Sequence, residues 1–246
     1  MSRRLRPLHS SPPRPCPYLP GRTECVVATK LKDGDDGAFY QSAIKAGFRR
    51  SHDLVYRPAC PGCDACRSVR VLTDAFKKSK SQDRVWRGNR HLSAETADPA
   101  ATTEQYGLFS RYQGERHRGG GMDRMSFVEY RAMMEESPVT TFATEFRDAD
   151  GELVALMLAD ELPGALSAVY SFFEPARSKQ ALGTFMILWL ISEARRRDLA
   201  HVYLGYWVSG CAKMDYKSRF RPLEVLGPKG WRLLETDHHS IIKKTV

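Results

Sequence analysis

No stretch of this chain is apolar for long enough to cross a bilayer. The longest apolar runs, Leu153–Ala159 and Phe185–Ile191, hold seven residues each, where a membrane-spanning helix needs roughly 20. No apolar stretch follows the basic start at Arg3, Arg4 and Arg6. Pro12, Pro13, Pro15 and Pro17 stand where the core of a secretory signal would lie, so no such signal is expected. Acidic residues are in deficit: 29 Asp and Glu face 38 Lys and Arg, for a net charge of +9. The expected partners of such a chain are polyanions such as nucleic acid, or an anionic membrane face. Cysteine is scarce, at six in 246 residues. That is too few for an extracellular disulfide framework in a chain long enough to bury a core unaided. Internal repeats and low-complexity tracts are absent.

Residues 1–20 read as a flexible Pro/Arg leader. Residues 21–100 hold a cysteine cluster and a basic run, and 101–246 form a second region with a clear rhythm. In the middle region, Thr23–Leu31 reads as a strand ending in the turn Asp33-Gly34-Asp35-Asp36-Gly37. Ala38–Ala46 reads as a short helix closed by Gly47, and Phe48–Tyr56 and Val69–Leu72 as strands around the cysteines. Residues 79–90 suit a short helix or an ordered loop. Thr102–Arg116 predicts a helix, and Ser126 with Glu129 makes a capping box ahead of Phe127–Glu136. Val139–Phe146, Leu153–Ala159 and Leu166–Phe173 alternate with turn residues as a meander. A polar loop over 174–181, the apolar helix Leu182–Arg196 and the strand His201–Trp207 follow. Strands, loop, helix, strand is an α+β order, and it is the order in which GNAT-type acyltransferases build their acyl-donor cleft.

Four blocks carry chemistry. The block VYLGYWVSGCAKMDYKSRFR at 202–221 interleaves Tyr203, Tyr206, Trp207 and Tyr216 with Lys213, Lys217, Arg219 and Arg221. Aromatic faces stack on bases and cations neutralise phosphates, which suits a single-stranded nucleic-acid end. A core strand beside a solvated basic loop has the same composition. The second block, Tyr170 to Gly183, leads into a helix whose first N–H groups can hold an anion or a developing oxyanion, and Gly183 allows close approach. An ordinary strand–loop–helix link has that form too. The third, Cys60-x2-Cys63-x2-Cys66, supplies three soft ligands, with Cys16 as the best remote fourth. Zinc, an iron–sulfur cluster, or three reduced thiols in a packed loop all fit. Cys25 and Cys211 read as packing residues. The fourth is the run from Arg67 to Arg90, where eight Lys and Arg, Arg84 among them, face only Asp74 and Asp83. Such an excess points to a phosphate or carboxylate partner.

Taken together these blocks resemble the arginyl-tRNA–protein transferase family, and within it the bacterial enzymes that transfer leucine to N-terminal Asp or Glu. The stretches that carry the resemblance are Cys16-Pro-Tyr-Leu-Pro, GFRRS at 47–51, YRPACPGCDAC at 56–66, VRV at 69–71 and the run from Ser79 to Asn89. RSKQALGTF, ending at Phe185, and YLGYWVSGCAKMDYK at 203–217 complete the set. The resemblance implies a GNAT-like α+β fold, an N-terminal region holding the cysteines, an aminoacyl-tRNA donor and a protein N-terminus as acceptor. It implies a cytoplasmic enzyme, with no membrane partner, whose product enters the N-degron pathway. Two departures stand out. Acetyl-CoA-binding relatives place a small residue where Phe185 stands here, and this phenylalanine is expected to crowd a pyrophosphate path. Asp83 occupies a place where another basic residue is expected.

The implied reaction is attack of an α-amine on the ester that joins an amino acid to the tRNA 3′ end. The ester is already activated, and an α-amine has a pKa of ~7.7–8.0, so positioning and oxyanion stabilisation are the main tasks and no cofactor is required. Tyr170 and Tyr206 are the candidates for proton relay, with Gly183 at the oxyanion. Glu174, Asp215 and His201 are weaker candidates. An acidic N-terminal side chain calls for a planar cation, and the candidates are Arg49, Arg50 and Arg70, with Arg67 behind them. Lys213, Tyr216 and Lys217 are expected to grip the terminal nucleotides, with Arg84 on phosphate, while Tyr203 and Tyr206 line the aminoacyl pocket. Leucine is the expected cargo. Arginine is the alternative and would need a buried carboxylate. The rival classes are a non-catalytic, metal-dependent RNA-binding module and an acetyl-CoA-dependent N-acetyltransferase.

Overall fold

The computed structural model describes residues 6–32 and 37–235. Asp33, Gly34, Asp35 and Asp36 of the expected turn lie outside the described residues. The strands in chain order are β1 (His9–Ser10), β2 (Arg14–Pro15), β3 (Thr23–Glu24), β4 (Val26–Lys30), β5 (Arg49–Ser51), β6 (Leu54–Pro58), β7 (Arg67–Leu72), β8 (Ser93–Ala97), β9 (Thr141–Arg147), β10 (Leu153–Leu162), β11 (Ala165–Phe173), β12 (His201–Trp207), β13 (Leu223–Gly227) and β14 (Gly230–Leu233). The helices are α1 (Ala38–Lys45), α2 (Lys80–Asn89), α3 (Thr103–Arg116), α4 (Phe127–Glu135) and α5 (Leu182–Arg196).

The meander forms as its alternation requires. Asp148 Oδ1 accepts from the N–H groups of Asp150 and Glu152 at 3.1 and 3.0 Å, and Gly151 takes a positive φ of 81°, so the chain reverses between β9 and β10. Nearly every residue of β10 is buried, the burial of a central strand covered on both faces. After β11 the chain rises through a 3-10 turn, Pro175–Gln180, into α5. It returns as β12, parallel to β11. The large sheet has the order β14-β13-β7-β12-β11-β10-β9-β8. This is the α+β order expected, with strands, loop, helix and strand in succession. Helix α5 buries Leu182, Phe185, Met186, Leu188, Leu190 and Ile191. Its basic end, Arg195 and Arg196, faces the negative end of the helix dipole.

The N-terminal third departs from the reading above in three ways. Residues of the expected flexible leader are paired: His9 and Ser10 lie against Ala28 and Val27, and Arg14 lies opposite Glu24. The stretch Phe48–Tyr56 is a hairpin, not one strand, because the chain reverses at His52, which has a φ of 53°. The division at residue 100 is not a division in the packing, since β7 sits between β12 and β13, and β8 pairs with β9. The sheet β1-β4-β6-β5 is joined to the large one by a buried ion pair. Arg50 on β5 donates to both oxygens of Asp160 on β10, at 2.8 and 2.6 Å. Tyr40 of α1 and Thr141 of β9 donate to the same carboxylate.

Candidate active site

Strands β11 and β12 pair only at Ala165–His201, Leu166–Val202 and Ser167–Tyr203. Beyond that register both strands continue but no longer bond to each other. Ala168, Val169, Tyr170 and Ser171 are half-buried there, between buried ends of the same strand. Two irregularities mark the opening. Val169 is an extra residue in β11, since Tyr170 pairs with Leu158 and Ala168 with Ala159. Leu204 is the extra residue in β12, since Tyr203 pairs with Arg70 and Gly205 with Val69. Bulges of this kind bend a strand away from its neighbour.

Arg49 occupies the base of this splay. Its Nη1 donates to Ser167 Oγ at 3.2 Å, and its Nη2 donates to the Ala168 carbonyl. Gly205, at a φ of 81°, lies against the guanidinium, and a Cβ there would stand 2.9 Å from Arg49 Cζ. No carboxylate pairs with Arg49 among the described residues. A guanidinium has five N–H donors, so this buried cation retains donors that no protein acceptor uses.

Around Arg49 stands a ring of polar side chains. Lys217, in the 3-10 turn Asp215–Arg219, is partly buried and donates to the Tyr206 carbonyl at 2.7 Å. Burial first and then Arg49 lower its pKa to about 7. Burial raises the pKa of Tyr216 as well, and Tyr112 and Arg49 both lie within its electrostatic reach. Tyr170 accepts from Gln113 Nε2, and burial, then Tyr112, raise its pKa. The Gln113 Oε1 atom is buried with no partner. His117, 3.3 Å from the Tyr112 hydroxyl, is held below its usual pKa by burial, then by Lys213 and Arg116. The residues gathered are therefore Arg49, Tyr112, Gln113, His117, Tyr170, Lys213, Tyr216 and Lys217. Surface hollows beside Cys25 and Cys63, and between Glu104 and Arg177, lie outside this ring.

Of the sequence candidates, several are committed elsewhere. Arg50 is spent on Asp160. Arg70 pairs with Glu224 at 2.6 Å, donates to the Tyr203 hydroxyl at 3.1 Å and lies over Trp231. Tyr203 is correspondingly buried, packed against Trp231. The Tyr206 hydroxyl lies 3.0 Å from both the Gly47 and Tyr56 carbonyls and ties β12 to the smaller sheet. Its single O–H is taken by those carbonyls and is not free to donate to a substrate. Arg67 meets Asp64 at the surface. Arg84 is exposed on α2. Gly183 serves packing, because a Cβ there would stand 3.3 Å from Phe173. Phe185 turns into the core between Trp86 and Phe146, so it crowds no loop. Sequence reading missed Tyr112, Gln113 and His117. The only signal was the polar Gln113-Gly-Glu-Arg-His117 end of a predicted helix.

The cysteines draw together from three segments. Cys16, Cys60 and Cys63 all lie within electrostatic reach of Cys66, whose thiol is pushed up to about 12 by burial and then by those three. Leu19 N–H donates to Cys16 Sγ and Cys25 N–H to Cys60 Sγ, both at 3.4 Å. Four thiols are the donor set of a tetrahedral zinc site. Even so, among the described residues no group of three or more His, Cys, Asp or Glu stands closely enough to hold an ion.

Comparison with known proteins gives a consistent result. Family models described as arginine-tRNA-protein transferase match the N-terminal part over residues 14–84 and the C-terminal part over 104–227. The aspartate/glutamate leucyltransferase of Paramagnetospirillum magneticum is 50% identical over 220 residues, covering 89% of this chain and 90% of the relative. That of Rhodospirillum rubrum is also 50% identical, covering 89% of each. Among solved structures, the crystal structure of FemX aligns with a TM-score of 0.50 at 7% identity, covering 81% of this chain and 69% of that one. At that identity the likeness shows the fold alone. With both family models matched and half of the aligned residues shared with these relatives, the chain belongs to the arginine-tRNA-protein transferase family, whose members are aminoacyltransferases.

Proposed function

We propose that this chain moves leucine from leucyl-tRNA to the α-amine of proteins that begin with Asp or Glu, marking them in the cytoplasm for N-degron degradation. The observation that carries the reading is Arg49: a buried guanidinium at the splay, with unused donors and no carboxylate of its own. The acidic side chain of the acceptor supplies that carboxylate, in the bidentate geometry that arginine favours. The acceptor amine then attacks the ester carbonyl. A C–N bond forms, and the bond from the carbonyl carbon to the ribose oxygen breaks. Lys213 and Tyr216, at the rim, meet the tRNA end. Leucine is favoured over arginine because Asp160 is the one fully buried carboxylate among the described residues, and Arg50, Tyr40 and Thr141 already use it.

Replacing Arg49 tests the reading. Arg49→Ala is expected to abolish transfer to Asp- and Glu-starting peptides while leaving the Kd for leucyl-tRNA unchanged. Gly205→Ala, which displaces the guanidinium, should do the same more weakly. Retained acceptor selectivity in Arg49→Ala would overturn it. We also propose that Cys16, Cys60, Cys63 and Cys66 hold a metal, zinc or an iron–sulfur cluster, whose contribution is to fold the N-terminal segment. The gathered thiols support this, and the loop must tighten around the ion.

A further inference from the structure

We propose that the Lys217 amine takes the proton that the acceptor's α-ammonium must lose before it attacks, and so serves as the general base of the transfer. This rests on the acceptor reading just given.

The geometry supplies the argument. Among the described residues Lys217 Nζ has two hydrogen-bond partners, the Tyr206 carbonyl at 2.7 Å and the Met214 sulfur at 3.7 Å. Both are acceptors. A neutral amine has two N–H groups to place on them, and its lone pair is left for an incoming hydrogen. An ammonium in the same place would have a third N–H with no oxygen, nitrogen or sulfur acceptor among the described residues, only the face of the Tyr216 ring 5.9 Å away. Among the described residues no carboxylate pairs with Lys217, although Asp215 stands on the same turn. From the smaller sheet the charged group that faces it is Arg49, which raises the cost of a second positive charge. The phenols nearby, Tyr216 and the Tyr206 ring, are neutral and held so by burial. Of two cations in one partly buried place, guanidinium does not release its proton, so lysine does. Burial and Arg49 together bring Lys217 to about 7, where a base for an α-amine is most effective.

The arrangement also couples acceptor choice to reactivity. A carboxylate on Arg49 cancels the neighbouring positive charge and makes Lys217 a stronger base once the correct acceptor is in place. The proton passes from the α-ammonium to Nζ, and the freed amine forms the C–N bond. That first proton goes on to solvent; as the C–O bond breaks, the attacking nitrogen, now positively charged, gives its second proton to Lys217, which passes it to the leaving ribose oxygen, directly or through water. Nothing is oxidised or reduced, and Lys217 ends as it began.

Single-turnover transfer from leucyl-tRNA to a saturating Asp-starting peptide, followed against pH, tests this. In the wild-type protein the rate should fall on the acid side with an apparent pKa at or above about 7. Lys217→Met and Lys217→Arg should each lower the rate by roughly 10²–10⁴-fold and shift the acid limb to the pKa of the peptide's own α-amine, ~7.7–8.0, with peptide Kd unchanged. Lys217→Arg keeps much of the bulk and the donors to the Tyr206 carbonyl but holds its proton, so it stays informative if the methionine variant fails to fold. Either variant retaining both the rate and the limb, or losing only peptide or tRNA affinity, overturns the inference. A wild-type protein that transfers nothing to the peptide overturns the acceptor reading instead.

Discussion

Arg49 and Arg50 are neighbours in sequence and opposites in role. Alternation along β5 sends their side chains to opposite faces. Arg50 meets Asp160, 110 residues away, and is consumed by it. Arg49 meets only a hydroxyl and a carbonyl. Sequence reading named both, with Arg67 and Arg70, and could not rank them, because the partner that decides lies far along the chain. Arg50→Ala leaves Asp160 buried without its cation. It is expected to destabilise the fold by about 3–5 kcal/mol, read from the midpoint of urea unfolding. A variant as stable as wild type would mean that the two sheets are held together by other contacts. Lys217 was legible as a cation in a basic, aromatic block, but its lack of a carboxylate partner and its place beside Arg49 were not.

The strands and helix that make the splay were the most legible elements. The run β9, β10, β11, α5, β12 follows turn residues and apolar periods that are local in the chain. The C-terminal hairpin of β13 and β14 was missed, as was β8, all five residues of which are exposed and carry no apolar alternation. The hairpin of β5 and β6 was read as one strand because neither glycine nor proline marks its reversal at His52. The segment joining β6 to β7 carries Cys60, Cys63 and Cys66, and its conformation depends on what the thiols hold. Metal analysis of protein purified without chelators should find stoichiometric zinc or iron. Cys66→Ala should lose the metal and lower the Tm. Metal-free wild-type protein with an unchanged Tm would leave the cysteines as packing residues.

The net charge of +9 belongs to the protein as a polyelectrolyte and says nothing about which residue touches RNA. It does predict that affinity for leucyl-tRNA falls steeply and linearly in log–log form as salt rises. A flat response would contradict a basic docking surface. Described residues include no helix long and apolar enough to cross a membrane. The proposed transfer joins an aminoacyl ester, a basic rim and a buried arginine awaiting an acidic chain end. Its most direct measurement is mass spectrometry of peptides starting with Asp, Glu or Lys after incubation with the protein and charged leucyl-tRNA or arginyl-tRNA. The predicted result is one added leucine on the Asp and Glu peptides alone. Added arginine, modification of the Lys peptide, or no adduct at all would contradict it.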